Sequence, residues 1–181
     1  MDVVRTPRLD LVATTIEHLD AELEAPARLG ALLGARVPSS WPPGLYDRDA
    51  MRFFRARLLE GGRAASGWYN WYAILRATPD HLATLVGAAG YFGPPAEGVV
   101  EIGYSTAPEF RSRGYTVEVV EALTARALAT PGVHQVIAEA HDDNVASGKV
   151  LTRAGFVRIG SGRDPGHHRY ARGGAQPGGA P

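Results

Sequence analysis

The chain has 181 residues, with 19 basic and 19 acidic side chains and no cysteine. Balanced charge gives no electrostatic reason to expect a nucleic acid or an anionic membrane as partner, and the lack of cysteine excludes a disulfide framework, thiolate metal ligands and a cysteine nucleophile. No apolar stretch approaches the roughly 20 residues needed to span a bilayer, and no basic-then-apolar leader opens the chain, so a cytoplasmic protein is expected.

The length suits one domain, expected over residues 1–172. Six of the nine residues from Gly173 to Pro181 are Gly or Pro, so 173–181 is expected to be a disordered tail. In chain order, Arg8 to Ala13 alternates as a first strand. Thr14 and Glu17 fit a capping box for a helix carrying Ile16, Leu19 and Leu23 on its apolar side. Pro26 interrupts that helix or starts a short second one, Ala27 to Gly34. Val37 to Leu45 is a stiff Pro/Trp/Gly loop, in which Trp41, with Tyr46 just beyond, either lines an acceptor pocket or packs beneath the loop. Asp47 caps a helix over Arg48 to Glu60, closed by Gly61-Gly62.

Trp68 to Ala77 and Leu82 to Phe92 read as strands of a meander, leading into Val99 to Thr106. On that third strand Glu101, Gly103 and Ser105 share one face, and Val100, Ile102 and Tyr104 the other. From Gly114 the period changes: Val117, Val120, Leu123, Ala127 and Leu128 mark an amphipathic helix. With a following strand, Val133 to Ala140, this makes a βαβ unit, whose crossover implies parallel strands. Between strand and helix lies Arg111-Ser112-Arg113-Gly114-Tyr115-Thr116. A helix N-terminus offers unpaired N–H groups and partial positive charge, and Gly114 would let an anion approach the backbone closely. The local physics leaves two readings open, a diphosphate cradle and a solvated turn with two surface arginines.

After the βαβ unit, Asn144 is a good helix cap, Val150, Leu151 and Ala154 form an apolar side, and Gly155 fits just past the helix end. Strands at Val157 to Gly160 and His167 to Arg172 complete the reading. His134, His141, His167 and His168 form no metal-ligand spacing, so no metal is expected.

Two blocks carry a family resemblance. Arg111 and Gly114 match the Arg/Gln-x-x-Gly-x-Gly/Ala acetyl-CoA loop of the GCN5-related N-acetyltransferases (GNAT), although Thr116 stands where the family has Gly or Ala. Asn144, Ser147, Leu151, Gly155 and Phe156 match the second block, Asn-x-x-Ser…Leu…x-Gly-Phe. The opening Thr6-Pro7-Arg8-Leu9 and the serine of the second block resemble the ribosomal-protein alanine acetyltransferase (RimJ/RimL-type) branch. The resemblance implies an α+β or α/β GNAT fold: a mixed central sheet of about six to seven strands flanked by about four helices. It also implies transfer of an acetyl group from acetyl-CoA to a primary amine, of a small molecule or a peptide N-terminus, by direct attack in a ternary complex. The cosubstrate would be held by Tyr104, Ser105, Thr106, Arg111, Ser112, Arg113, Gly114, Tyr115, Thr116, Asn144 and Ser147.

For chemistry, Glu101 is the first candidate base, against a surface glutamate pairing with a neighbour such as Arg111; Glu139 and His141 are reserves. A backbone N–H near Tyr104 or Ser105 could face the oxyanion. Leu151 stands where many family members place a tyrosine acid, which leaves Ser147 as candidate acid or as a serine bonding back to its cap. The Thr116 and Leu151 departures keep a non-catalytic acyl-CoA sensor as the alternative. Dimerisation is common in the superfamily, so a homodimer is an option that no sequence feature demonstrates.

Overall fold

The computed structural model describes residues 2–173; the expected disordered tail from 174 onward lies outside them. The elements are β1 Val3–Arg5, β2 Leu9–Ala13, α1 Ile16–Glu24, α2 Pro26–Leu33, α3 Arg48–Ala65, β3 Asn70–Leu75, β4 Thr84–Tyr91 and β5 Val99–Thr106. A single 3-10 turn at Pro108–Phe110 precedes α4 Tyr115–Leu128, β6 Gln135–His141, α5 Val145–Arg153, β7 Val157–Ser161 and β8 His167–Gly173. Gly173 therefore ends a strand instead of starting a tail.

One eight-stranded sheet has the order β1-β2-β3-β4-β5-β6-β8-β7. All neighbouring pairs are antiparallel except β5 and β6, which are parallel because α4 carries the chain across between them. The strand count exceeds the expected six to seven by β1, whose three residues are too short to show alternation. Five helices replace the expected four because the short α2 forms, with Pro26 at its start and Gly34 in the left-handed region just past its end.

The sheet separates two apolar layers. Val100 and Ile102 share one buried layer with Val120 and Leu123 of α4, Leu151 of α5 and Phe156 just before β7. On the other face Tyr72, Ile74 and Leu85 meet Leu19, Leu29, Met51 and Leu58 of α1 to α3. The two-residue period of a strand sends Trp71 and Ala73 to the first layer and Tyr72 and Ile74 to the second.

The capping box of α1 sits one residue later than expected. Thr15, not Thr14, accepts from the His18 N–H, and the Thr15 N–H donates to His18 Nδ1. Thr14, the residue after β2, donates its N–H to Asn70 O of β3 at 2.9 Å. Glu17, freed from a capping role, pairs with Arg28. The helix expected to stop at Gly61-Gly62 continues to Ala65 with a break at Gly62, where φ is 53°.

Candidate active site

The turn between β5 and α4 has two residues in the left-handed region, Ser112 with φ 60° and Gly114 with φ 79°. Alternation of this kind curls the backbone so that successive N–H groups converge. The Arg111 N–H is used by Pro108 O, and the Glu118 N–H makes the first bond of α4, to Gly114 O. Between them the amides of Ser112 to Val117 have no acceptor among the described residues, and α4 has no side-chain cap. Six free donors at a helix N-terminus form an anion seat. A Cβ added to Gly114 would meet only Arg8 Nη2, at 3.4 Å. Arg111 folds back to donate from Nε to Thr106 O at 3.1 Å, and the Arg113 guanidinium lies over the Phe110 ring. Thr116, the departure from the family pattern, turns its hydroxyl to the Thr106 hydroxyl at 2.8 Å.

A fork in the sheet adjoins this seat. β5 pairs with β4 out to Thr106, but with β6 only over Val99 to Glu101. The bonds Phe92 N–H to Glu101 O and Ala107 N–H to Val86 O fix the backbone parity. Glu101, Gly103 and Ser105 therefore aim their main-chain groups at β4, while Ile102, Tyr104 and Thr106 aim theirs at the fork. Of the two amides named from the sequence, Tyr104's faces the opening; Ser105's is directed to β4.

A cleft of about 360 Å³ runs along the fork. Its apolar lining comes from Leu45, Tyr46, Phe54 and Phe92. Its polar lining includes Glu101, Glu139, His141, Arg163 and His167, and the fork itself contributes Tyr104, Asn144 and Ser147. Glu101 reaches the cleft from the middle of β5 with its side chain only 15% exposed. Its partner is Arg163, on the β7–β8 turn, and not Arg111. Burial raises the Glu101 pKa above the ordinary carboxyl range; Arg163 pulls it down, and the Glu139 charge pushes it up again. Glu139 is also desolvated, yet Arg169 at 2.8 Å, the Arg163 N–H and the Arg163 charge hold it below the usual range. Two carboxyls on adjacent strands are thus pushed apart, and only Glu101 moves toward neutrality. His141 accepts the Asp143 N–H at Nδ1, and His167 meets its ring edge-on.

At the fork, Tyr104 Oη lies 2.8 Å from Ser147 Oγ and 3.1 Å from Ser147 O. Burial pushes the tyrosine up to about 12 against the opposing hydrogen bond from Ser147, so it keeps its proton at neutral pH. The Ser147 hydroxyl thus meets a tyrosine instead of its own cap. Asn144 Oδ1 caps α5 by accepting the Ser147 N–H at 3.1 Å; its Nδ2 has no acceptor among the described residues. Leu151 is fully buried in the core.

Three features escaped the sequence reading. Arg163 lies in a turn with no motif, and only the β7–β8 hairpin brings it over Glu101. Asn70 lines the cleft and donates to Thr14 Oγ1 and Tyr46 Oη. Glu22, 4% exposed, receives Trp41 Nε1, Tyr46 Oη at 2.7 Å and Tyr72 Oη at 2.5 Å; its signal was a glutamate three residues past Leu19 on the inward side of α1. Trp41 accordingly anchors the loop from beneath, while Tyr46 borders the cleft.

Residues 8–157 match the family model described as an acetyltransferase (GNAT) domain. The chain is 30% identical over 158 residues to the uncharacterized N-acetyltransferase YjdG of Bacillus subtilis (strain 168), covering 87% of this chain and 90% of that protein. In fold it is similar to RimL, a ribosomal L7/L12 alpha-N-protein acetyltransferase solved with coenzyme A, at TM-score 0.67 and 18% identity, covering 95% of this chain and 98% of that one. An acetyltransferase of the GNAT family from Bacillus anthracis superposes at TM-score 0.62 with 19% identity and the same coverages. No described helix is long and apolar enough to cross a membrane, and no described group of His, Cys, Asp or Glu could hold a metal. The free-amide turn beside a forked parallel strand pair, the match over most of the sequence and the likeness of fold converge: the chain belongs to the GNAT acetyltransferase family and is an N-acetyltransferase.

Proposed function

We propose that the protein transfers acetyl from acetyl-CoA to a primary amine, of a small molecule or a peptide N-terminus, by direct attack in a ternary complex of the RimJ/RimL type. The observation that carries this reading is the run of six unpaired amides opening onto the β5–β6 fork. Those amides, with Arg111 and Arg113, hold the diphosphate, and the pantetheine arm enters the fork along Asn144. The thioester carbonyl then lies against the Tyr104 N–H, which stabilises the oxyanion as charge develops. A lysine-like amine has a pKa near 10.4, so attack requires loss of a proton, and Glu101 takes it directly or through one water. The new C–N bond forms, the C–S bond breaks, and the electron pair leaves on sulfur. The new amide nitrogen sheds its second proton to water, while the Ser147 hydroxyl passes a proton to the thiolate and recovers it from Tyr104, which solvent reprotonates; a thiol pKa near 8.5 makes that demand mild at pH 7.

The test is acetyl-CoA with a panel of primary amines and free thiol as the readout. Release that depends on the amine supports the proposal. Tight binding with no release above the uncatalysed rate would favour an acyl-CoA sensor, a reading supported by the buried Leu151 at the usual tyrosine position.

A further inference from the structure

The segment Thr6-Pro7-Arg8 lines no part of the cleft that holds Glu101, yet it converges on the turn before α4. Thr6 Oγ1 and the Arg8 main-chain N–H both donate to Glu118 Oε1, and Arg8 Nε donates to Glu118 Oε2 at 2.7 Å. Arg8 Nη1 donates to Arg113 O at 2.9 Å, and the guanidinium lies 4.5 Å from the centre of the Tyr115 ring. Arg8 is therefore fixed on three sides: by a carboxylate in the first turn of α4, by a carbonyl of the turn and by an aromatic face. Its remaining nitrogen, Nη2, has no acceptor among the described residues and is the group nearest the missing Cβ of Gly114.

We propose that Arg8 is a third cation of the donor site, its Nη2 contacting a phosphate of the thioester carrier. The assignment rests on the proposed role of the turn. Glu118 holds the planar guanidinium in one orientation, so little side-chain freedom is lost on contact with an anion. Arg111 uses Nε on Thr106 O and Arg113 lies over the Phe110 ring; among the described residues Arg8 alone of the three is held by a carboxylate, with one edge left over.

Calorimetric titration of CoA into the wild type and Arg8→Gln, at several ionic strengths, tests this. The variant should bind about tenfold or more weakly, the scale for losing a charged hydrogen bond. Its log Kd should also rise less steeply with log salt than the wild type's, because one ionic contact is gone. Thr6→Val, which breaks the brace and keeps the cation, should leave the salt slope unchanged. Equal affinity in Arg8→Gln, or a weakened affinity with the wild-type salt slope, would overturn the proposal and leave Arg8 as a brace. If the wild type fails to bind CoA at all, it is the reading of the turn that fails, and with it this inference.

Discussion

At the scale of single residues, the site turns on the unequal surroundings of Glu101 and Glu139. Both lie on strands at the fork and both are desolvated, but Glu139 has Arg169, the Arg163 N–H and the Arg163 charge, while Glu101 has Arg163 and also faces the Glu139 charge. Glu101→Gln should lower kcat about a hundredfold, the lower end for general-base catalysis, with CoA affinity unchanged. Wild-type turnover would remove Glu101 as the base. Arg163→Gln tests its tuning. Without that cation, burial and the Glu139 charge act with less opposition, so the Glu101 pKa rises further. A base works when deprotonated, so the acidic limb of kcat/KM should move to higher pH, with the loss greatest at low pH and fading above the new pKa. A pH–rate profile reads this directly; an unmoved limb would show that Arg163 does not govern the base. Glu101 could be named from the sequence because it falls on the central strand, where the family resemblance places a glutamate base. Arg163 was not, since no local pattern links a hairpin turn to a strand 62 residues earlier.

At the scale of elements, the loop from Val37 to Leu45 is tied to α1 by Trp41 on Glu22, beside the bonds of Ser40 to Glu109 and of Ser105 to Pro43 O. Burial raises the Glu22 pKa, and the bonds from Tyr72, Tyr46 and Trp41 offset that only partly. Because the folded pKa lies above the unfolded one, the folded state holds the proton more tightly. The group's contribution is then most favourable below the unfolded carboxyl range and declines as pH rises toward the folded value. Glu22→Ala strands three buried donors and should cost about 3 kcal/mol in urea unfolding. Loosening of the loop should also raise the KM for the amine, since Tyr46 borders the cleft. A loss under about 0.5 kcal/mol would mean the donors find water. The elements themselves were readable wherever a period persisted: β5 coincides with its expected limits, and α4 begins one residue after Gly114. The Thr14 cap failed because Thr15 offers the same hydroxyl one residue on. Local chemistry cannot separate the two; the β3 strand does, by holding the Thr14 N–H on Asn70 O.

At the scale of the whole molecule, the sheet works as a scaffold that is opened at one place. Among the described residues seven strand pairings join eight strands, and the one parallel pairing comes apart after Glu101. The α4 crossover that makes it parallel also sets a bare helix N-terminus at the mouth of the opening, so the free-amide turn and the proposed base Glu101 are brought to one place by one topological event. The sequence shows this event as a change of period from two to 3.6 across Arg111 to Thr116. It does not show that Leu45, Phe54 and Phe92, from three separate segments, share the lining of one cleft. Replacing Gly114 with Val should weaken CoA binding at least tenfold, since a β-branched residue tolerates φ 79° poorly and would crowd the approaching diphosphate.

The most direct measurement is an amide-resolved ¹⁵N NMR titration with CoA, followed by hydrogen exchange of the complex. The amides of Ser112 to Val117 should shift together and become protected from exchange, while pantetheine, which lacks the diphosphate, should leave them almost unmoved. Binding of CoA with those six amides unshifted and still exchanging freely would contradict the diphosphate seat on which the reading of this enzyme depends.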